Sequence, residues 1–261
     1  MHIQLGKCMA LKEFFKRGVN LRVGTNVSLI TEDDRYVFEQ MRNKFYKEAQ
    51  RIACLEDPHI IEVSDSFEEN ETAYYVMKLI DGKSLAAALA TMKKTERHPF
   101  PEKGIMRILP QVLSALKTIH AQGIYHLDLK PDNIMRNAQG HCWLIDFGAS
   151  KQMSSAASQM FTANTGLCFT PGYAPSEQIS GNVKRIGPWT DFYALGATIY
   201  NLLTGEQPPM IDDVKYDGAS AFHFPSVVSL EMQQFVRWLM QPDYPQRPKS
   251  VEEIEQRLKR L

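Results

Sequence analysis

The sequence predicts an α+β fold in two parts: a small strand-rich part over residues 1–80 and a larger, mainly helical part over residues 81–261. Three observations carry this expectation. Apolar and aromatic runs of strand length occur before residue 81. Asp81-Gly82 then breaks the pattern. Beyond it, apolar residues recur at helical spacing in segment after segment.

Cys8 to Phe14 and Tyr74 to Ile80 read as strands. Between them, Phe38, Met41, Phe45, Ala49 and Ile52 form one apolar stripe of a helix. Residues Lys16 to Arg35, with Gly18, Gly24 and Asn26, read as a long surface connection into that helix. After the break, Ser84 is a candidate N-cap for a helix from Leu85 to Ala90. Ile105, Ile108, Leu109, Val112, Leu116 and Ile119 mark a further amphipathic helix, in which Pro110 predicts a lost hydrogen bond or a kink. Asp191 to Leu203 is apolar on all sides and stops at Gly205, as a buried central helix would. Ser250-Val251-Glu252-Glu253 fits a capping box for the last helix.

Length and composition exclude several classes. A chain of 261 residues can bury a substantial core, and 44% hydrophobic with 23% charged residues is ordinary for a globular protein. Thirty basic residues balance thirty acidic ones, so no global field favours nucleic acid or an anionic membrane. No apolar run approaches the roughly 18 residues of a membrane span, and the N-terminus lacks a signal-peptide pattern. Cys8, Cys54, Cys142 and Cys168 show no CxxC pairing, which points to buried free thiols and a reducing, cytoplasmic setting.

The chemistry is concentrated in Tyr125-His126-Leu127-Asp128-Leu129-Lys130-Pro131-Asp132-Asn133, followed by Asp146-Phe147-Gly148. A carboxylate, an ammonium, an amide and a second carboxylate stand there at a spacing suited to phosphoryl transfer. Asp128 would accept or orient a hydroxyl proton and Lys130 would stabilise phosphate charge, while Asn133 and Asp146 would hold Mg²⁺. The two motifs together resemble the catalytic and metal-binding loops of eukaryotic-like protein kinases, and the likeness runs from about residue 3 to the end. The wording Lys130-Pro131-Asp132-Asn133 and Thr170-Pro171-Gly172-Tyr173 resembles Ser/Thr kinases, in a form closest to bacterial members.

The resemblance implies a bilobal kinase-like fold with a truncated small β-rich N-lobe and a larger helical C-lobe. It implies ATP and Mg²⁺ as cofactors and a protein substrate bearing a Ser or Thr hydroxyl. Met9-Ala10-Leu11-Lys12 looks like the strand carrying the ATP-contacting lysine, so Lys12 would meet the α/β-phosphates and Glu48 would be its ion-pair partner. Glu48 lies on the stripe of Phe45 and Ile52, where an unpaired carboxylate would be costly. By the same likeness Met77 is the gatekeeper, and Lys78 and Ile80 would bind adenine through their backbone. Ala10 and Met135 would sandwich the base. Glu177 would pair with Arg247, Asp191 would hold the catalytic-loop backbone, and Ile52, Val63, His126 and Phe147 would stack as a spine.

Two departures from the family pattern stand out. Leu127 replaces the arginine that usually pairs with a phosphate on the activation loop. Ser150, Ser154, Ser155, Ser158, Thr162 and Thr165 therefore read as a polar loop, and activity as independent of loop phosphorylation. Only eleven residues precede Lys12, with Leu5-Gly6-Lys7 as a turn, so the glycine-rich lid over the ATP phosphates is absent from this stretch. The expectation is an active Ser/Thr kinase, with a possible partner chain completing the N-lobe. The alternative is a pseudokinase or binding module, or an inactive truncated fragment.

Overall fold

The computed structural model describes residues 8–95, 99–147, 151–152 and 169–261. The chain divides into two compact units. The smaller runs to Glu56 and resumes over Ile60–Asp81; the larger contains Asp57–His59 and Gly82–Leu261.

In the smaller unit β1 (Met9–Glu13), β4 (Val63–Glu69) and β5 (Thr72–Lys78) form an antiparallel sheet in the order β1-β5-β4. One helix, α1 (Arg35–Ala53), packs on it. Of the predicted stripe Phe38, Phe45, Ala49 and Ile52 are buried, and Glu48 with them, while Met41 is only half-buried. Phe14 meets Phe38 and Phe45 at centroid distances of 5.3 and 5.7 Å, and Phe45 meets Tyr75 at 4.9 Å. This aromatic cluster is the small unit's core.

Two expectations for this unit are corrected. The stretch expected to be a surface connection contains a hairpin, β2 (Asn20–Val23) with β3 (Asn26–Leu29), turned at Gly24 with φ 62°. Val27 is its buried anchor, and its N–H donates to the Asn70 carbonyl at 2.9 Å. The second strand expected from Tyr74 to Ile80 is β5, shifted to Thr72–Lys78. Asn70 and Glu71, with φ of 53° and 63°, turn the chain from β4 into it, so pairing begins at Thr72 and ends before Leu79 and Ile80.

The larger unit begins with β6 (Gly82–Ser84), α2 (Leu85–Thr95) and α3 (Glu102–Ala121). Then come β7 (Ile124–Tyr125), β8 (Ile134–Asn137), β9 (Cys142–Leu144) and β10 (Lys151–Gln152). The rest is helical: α4 (Ser176–Ile179), α5 (Pro188–Thr204), α6 (Ile211–Asp217), α7 (Leu230–Leu239) and α8 (Val251–Leu258). Strands pair as β6-β8-β9 and β7-β10. The Ser84 hydroxyl caps α2 by accepting from the Ala87 N–H at 3.1 Å, and Ser250 caps α8 by accepting from that of Glu253 at 3.4 Å. Helix α3 continues through Pro110, which lies on its exposed face, where water can satisfy the carbonyl left without a donor. The central helix α5 is buried nearly throughout and ends at Gly205, whose φ of 73° is adopted at least cost by a residue without Cβ.

Asp57–His59 belongs to this unit because its polar groups are satisfied there. Ser114 and Thr118 on α3 donate to the Asp57 carboxylate at 2.8 and 2.9 Å, and the Leu144 N–H donates to the His59 carbonyl at 2.7 Å. Among the described residues no helix is long and apolar enough to cross a membrane. Cys8, Cys54 and Cys142 are free thiols, but only Cys142 is buried as expected, and burial pushes its thiol up to about 11; Cys8 and Cys54 are exposed. Leu5-Gly6-Lys7, Cys168 and the six loop hydroxyls singled out above lie outside the described residues.

The helical unit is pinned by the expected pair of Glu177 and Arg247. The guanidinium reaches the two carboxylate oxygens at 2.6 and 3.3 Å. It also donates to the carbonyls of Gln241 at 2.6 Å, Pro242 at 2.9 Å and Trp189 at 3.2 Å. Each of its five N–H groups thus has an acceptor, which is what permits a fully buried cation. The Arg247 side chain is 0% exposed and lies over the Tyr193 ring at 4.9 Å. Removing one partner leaves the other charge buried and unpaired. Glu177→Ala or Arg247→Ala is expected to lower unfolding free energy by about 3–5 kcal/mol in urea denaturation. A loss below about 1 kcal/mol, the range of exposed pairs, would refute the pinning role.

Candidate active site

In the smaller unit the β1–β5 register sets Ala10 opposite Met77 and Lys12 opposite Tyr75. Directly opposed residues share a face of the sheet. Lys12 Nζ lies 3.0 Å from Glu48 Oε1, and the Tyr75 hydroxyl donates to the same oxygen at 3.0 Å. The ammonium also stands 5.3 Å from the centre of the Tyr75 ring. Burial, and then the neighbouring Glu48 charge, pushes the Tyr75 phenol well above the ordinary tyrosine range, so it stays a donor. Lys78 closes β5, opposite Met9 in register, and its N–H donates to the Glu62 carbonyl at 3.0 Å. Ile80 follows in irregular backbone. Ile52 and Val63 are both buried in this unit.

In the larger unit the segment between β7 and β8 is organised by Asp191, near the start of α5. Its two carboxylate oxygens accept from the backbone N–H groups of His126 and Leu127, each at 2.9 Å, and His120 Nε2 lies 2.8 Å away. Burial raises this carboxyl's pKa, but the His120 hydrogen bond, the histidine charges and the Leu127 N–H pull it further down. The net position is below the ordinary value, so the group is held as a carboxylate. Leu127 itself is 3% exposed and adopts φ 62°. The His126 ring packs against Phe147 at a centroid distance of 4.9 Å with the planes tilted by 54°, and the adjacent Asp146 is exposed.

Asp128, Lys130 and Asn133 come together as the spacing implied. Asp128 Oδ2 accepts from Asn133 Nδ2 at 3.0 Å and lies 2.8 Å from Lys130 Nζ. Thr170 completes the group: its hydroxyl donates to Asp128 Oδ1 at 2.8 Å and accepts from Lys130 Nζ at 2.9 Å. Sequence reading had noted Thr170 only as part of a Ser/Thr-type motif. Its signal was that motif, Thr-Pro-Gly-Tyr, in which Gly172 has φ 83° and a Cβ would stand 2.7 Å from the Pro208 carbonyl oxygen. That close approach fixes the turn that delivers Thr170.

The Ile145 N–H donates to the Asn133 carbonyl at 2.9 Å, which brings the residue before Asp146 against Asn133. Asn133 uses its amide nitrogen on Asp128, at both the carboxylate and, at 2.8 Å, the main-chain carbonyl. Its amide oxygen is thereby the end turned elsewhere. An amide oxygen and a carboxylate fit Mg²⁺, a hard cation that takes one or two carboxylates and completes its shell with water and phosphate oxygens. Among the described residues no group of three or more His, Cys, Asp or Glu gathers to hold a metal alone. Met135 lies on β8 opposite Trp143. Gly148 lies outside the described residues.

The protein kinase domain family matches residues 27–258, a stretch that begins after Ala10 and Lys12. The chain is 32% identical over 194 residues to serine/threonine-protein kinase PknL of Mycobacterium tuberculosis, covering 74% of this chain and 46% of PknL. It is 30% identical over 225 residues to serine/threonine-protein kinase F of Synechocystis, covering 85% of this chain and 43% of that protein. With PrkC of Bacillus subtilis it shares 30% identity over 212 residues, 81% of this chain and 29% of PrkC. It thus spans less than half the length of these relatives. Among solved structures, the apo form of PpkA-294 superposes with a TM-score of 0.79 at 28% identity, covering 98% of this chain and 88% of that one. A carboxylate ringed by Lys130, Asn133 and Thr170, on a loop held by Asp191, is thus found on a fold and in a sequence that place the chain in the eukaryotic-like Ser/Thr protein kinase family.

Proposed function

We propose that the chain transfers the γ-phosphoryl group of ATP to a Ser or Thr hydroxyl of a protein substrate. The observation that carries this reading is the closed set of hydrogen bonds joining Asp128, Lys130, Asn133 and Thr170. It holds a base and a cation in one place before any substrate arrives, which is the positioning this reaction requires.

In this reading Asp128 accepts the hydroxyl proton as the substrate oxygen bonds to the γ-phosphorus and the bond to the β–γ bridging oxygen breaks, releasing ADP. Lys130 neutralises charge on the transferred group. Thr170 orients both Asp128 and Lys130. Lys12, held by Glu48, meets the α/β-phosphates. Asn133 and Asp146 would hold Mg²⁺, which when bound neutralises charge on the phosphate oxygens. Ala10, Met77 and Met135 line the base, and the backbone of Lys78 and Ile80 reads adenine. Support for the first group comes from the β1–β5 register, which puts Ala10 and Met77 directly opposite each other.

Leu127 is the basis for a second part of the proposal: activity without a loop phosphate. Its side chain is apolar and buried and cannot pair with an anion. The edge position of β1 among the described residues, with Leu11 56% exposed, supports a partner chain that adds a strand to the small sheet. Free Cys8, Cys54 and Cys142 support a reducing, cytoplasmic setting.

The test is Mg·ATP-dependent phosphate transfer to dephosphorylated casein. Asp128→Asn is expected to reduce transfer by about 10²–10⁴-fold, and Lys12→Ala by about 10²–10³-fold. Nucleotide binding without transfer by the wild-type chain would instead assign a binding module. Phosphatase-treated protein is expected to keep full activity, measured as initial rate before any autophosphorylation; strict dependence on a loop phosphate would overturn that part.

A further inference from the structure

Among the described residues four non-glycines have positive φ, and of Asn70, Glu71, Leu127 and Asp146 only the leucine lacks a polar side chain. A left-handed backbone is sterically unfavourable for leucine and offers it no local hydrogen bond in return. Something must hold it there. Both backbone polar groups of Leu127 are taken by side chains from elsewhere in the fold. Its N–H donates to Asp191 Oδ1 at 2.9 Å, and its carbonyl accepts from Gln178 Nε2 at 2.6 Å. The partner is a carbonyl oxygen, so the amide nitrogen must be the end of Gln178 that faces it.

That carbonyl belongs to the peptide leading into Asp128. The N–H at the other end of the same peptide, that of Asp128, donates to His126 Nδ1 at 3.3 Å. The plane from which the Asp128 side chain departs is therefore held at its oxygen and its nitrogen. Gln178 is 2% exposed on the single turn of α4, where it has little room to move. The residues beside the two gripping side chains also grip each other: the Thr190 hydroxyl donates to Glu177 Oε1 at 3.2 Å. Glu177 precedes Gln178 and Thr190 precedes Asp191, so α4 and α5 are joined and between them hold Leu127, α4 at its carbonyl and α5 at its N–H.

We propose that Gln178 is a positioning residue for Asp128, acting through the Leu127 carbonyl. This rests on the kinase reading above. Gln178→Met keeps the size and removes the donor. Gln178→Glu keeps the shape, and donates only while its carboxyl is protonated.

The experiment measures kcat and KM for ATP with the full chain and dephosphorylated casein. Gln178→Met is expected to lower kcat by about 10- to 100-fold, as misplacement of a catalytic group does, with KM for ATP nearly unchanged. Gln178→Glu is expected to lose a similar factor at pH 8, then to recover relative to wild type as pH falls toward 6 and its buried carboxyl takes up a proton. If the methionine variant does not fold, the pH slope of the glutamate variant decides. Wild-type kcat in both variants, or a loss confined to KM or without pH recovery, overturns the assignment alone. No transfer by the wild-type chain overturns the kinase reading and this assignment with it.

Discussion

The larger unit turns on one buried carboxylate. Asp191 sits at 0% exposure and holds two consecutive backbone N–H groups of the loop that carries Asp128 and Lys130. A charge in that position is tolerable only because each oxygen is met by donors. Its place near the N-terminus of α5 adds the favourable end of the helix dipole. The loop therefore takes its shape from the most deeply buried helix of the unit. Everything downstream, from the left-handed Leu127 to the ring of bonds around Asp128, depends on that placement.

A second buried charge secures the other side of the same scaffold. Arg247 draws Glu177 on α4, Trp189 on α5 and the carbonyls of Gln241 and Pro242 to a single guanidinium. Lysine could not do this, since an ammonium has three donors and no planar fork. Asp191 thus ties α5 to the loop that precedes it in sequence, and Arg247 ties α5 to the segment after α7.

Much of this was legible in the sequence, and for physical reasons. Glu48 could be placed inward because it shares the helical stripe of Phe45 and Ile52. The caps at Ser84 and Ser250 and the stop at Gly205 were readable because each rests on a local bond or a local dihedral. Asp191 and the Glu177–Arg247 pair came from family resemblance, since no local pattern encodes contacts that join residues 65 or 70 positions apart. The hairpin β2–β3 escaped because Val27 is the one apolar residue it buries, beside the polar Asn20, so its apolar signal is one residue deep. Strand β4 escaped for a like reason: Val-Ser-Asp-Ser-Phe-Glu-Glu is too polar to announce a strand, and its pairing to β5 is what makes it one. Thr170 and Gln178 act on partners 42 and 51 positions away, which spacing alone could not supply.

The phenol of Tyr75 gives the smaller unit a property that the ion pair alone would lack. Glu48 has two donors on one oxygen, a half-buried ammonium on β1 and a hydroxyl rooted in the middle of β5. The hydroxyl keeps its proton, so it remains a donor whatever the lysine does. Were the Lys12 ammonium to move away, the carboxylate would keep this donor and would not be stranded in an apolar setting. The tyrosine serves as a resting partner, so the proposed sharing of Lys12 between Glu48 and a nucleotide would leave the core behind it undisturbed.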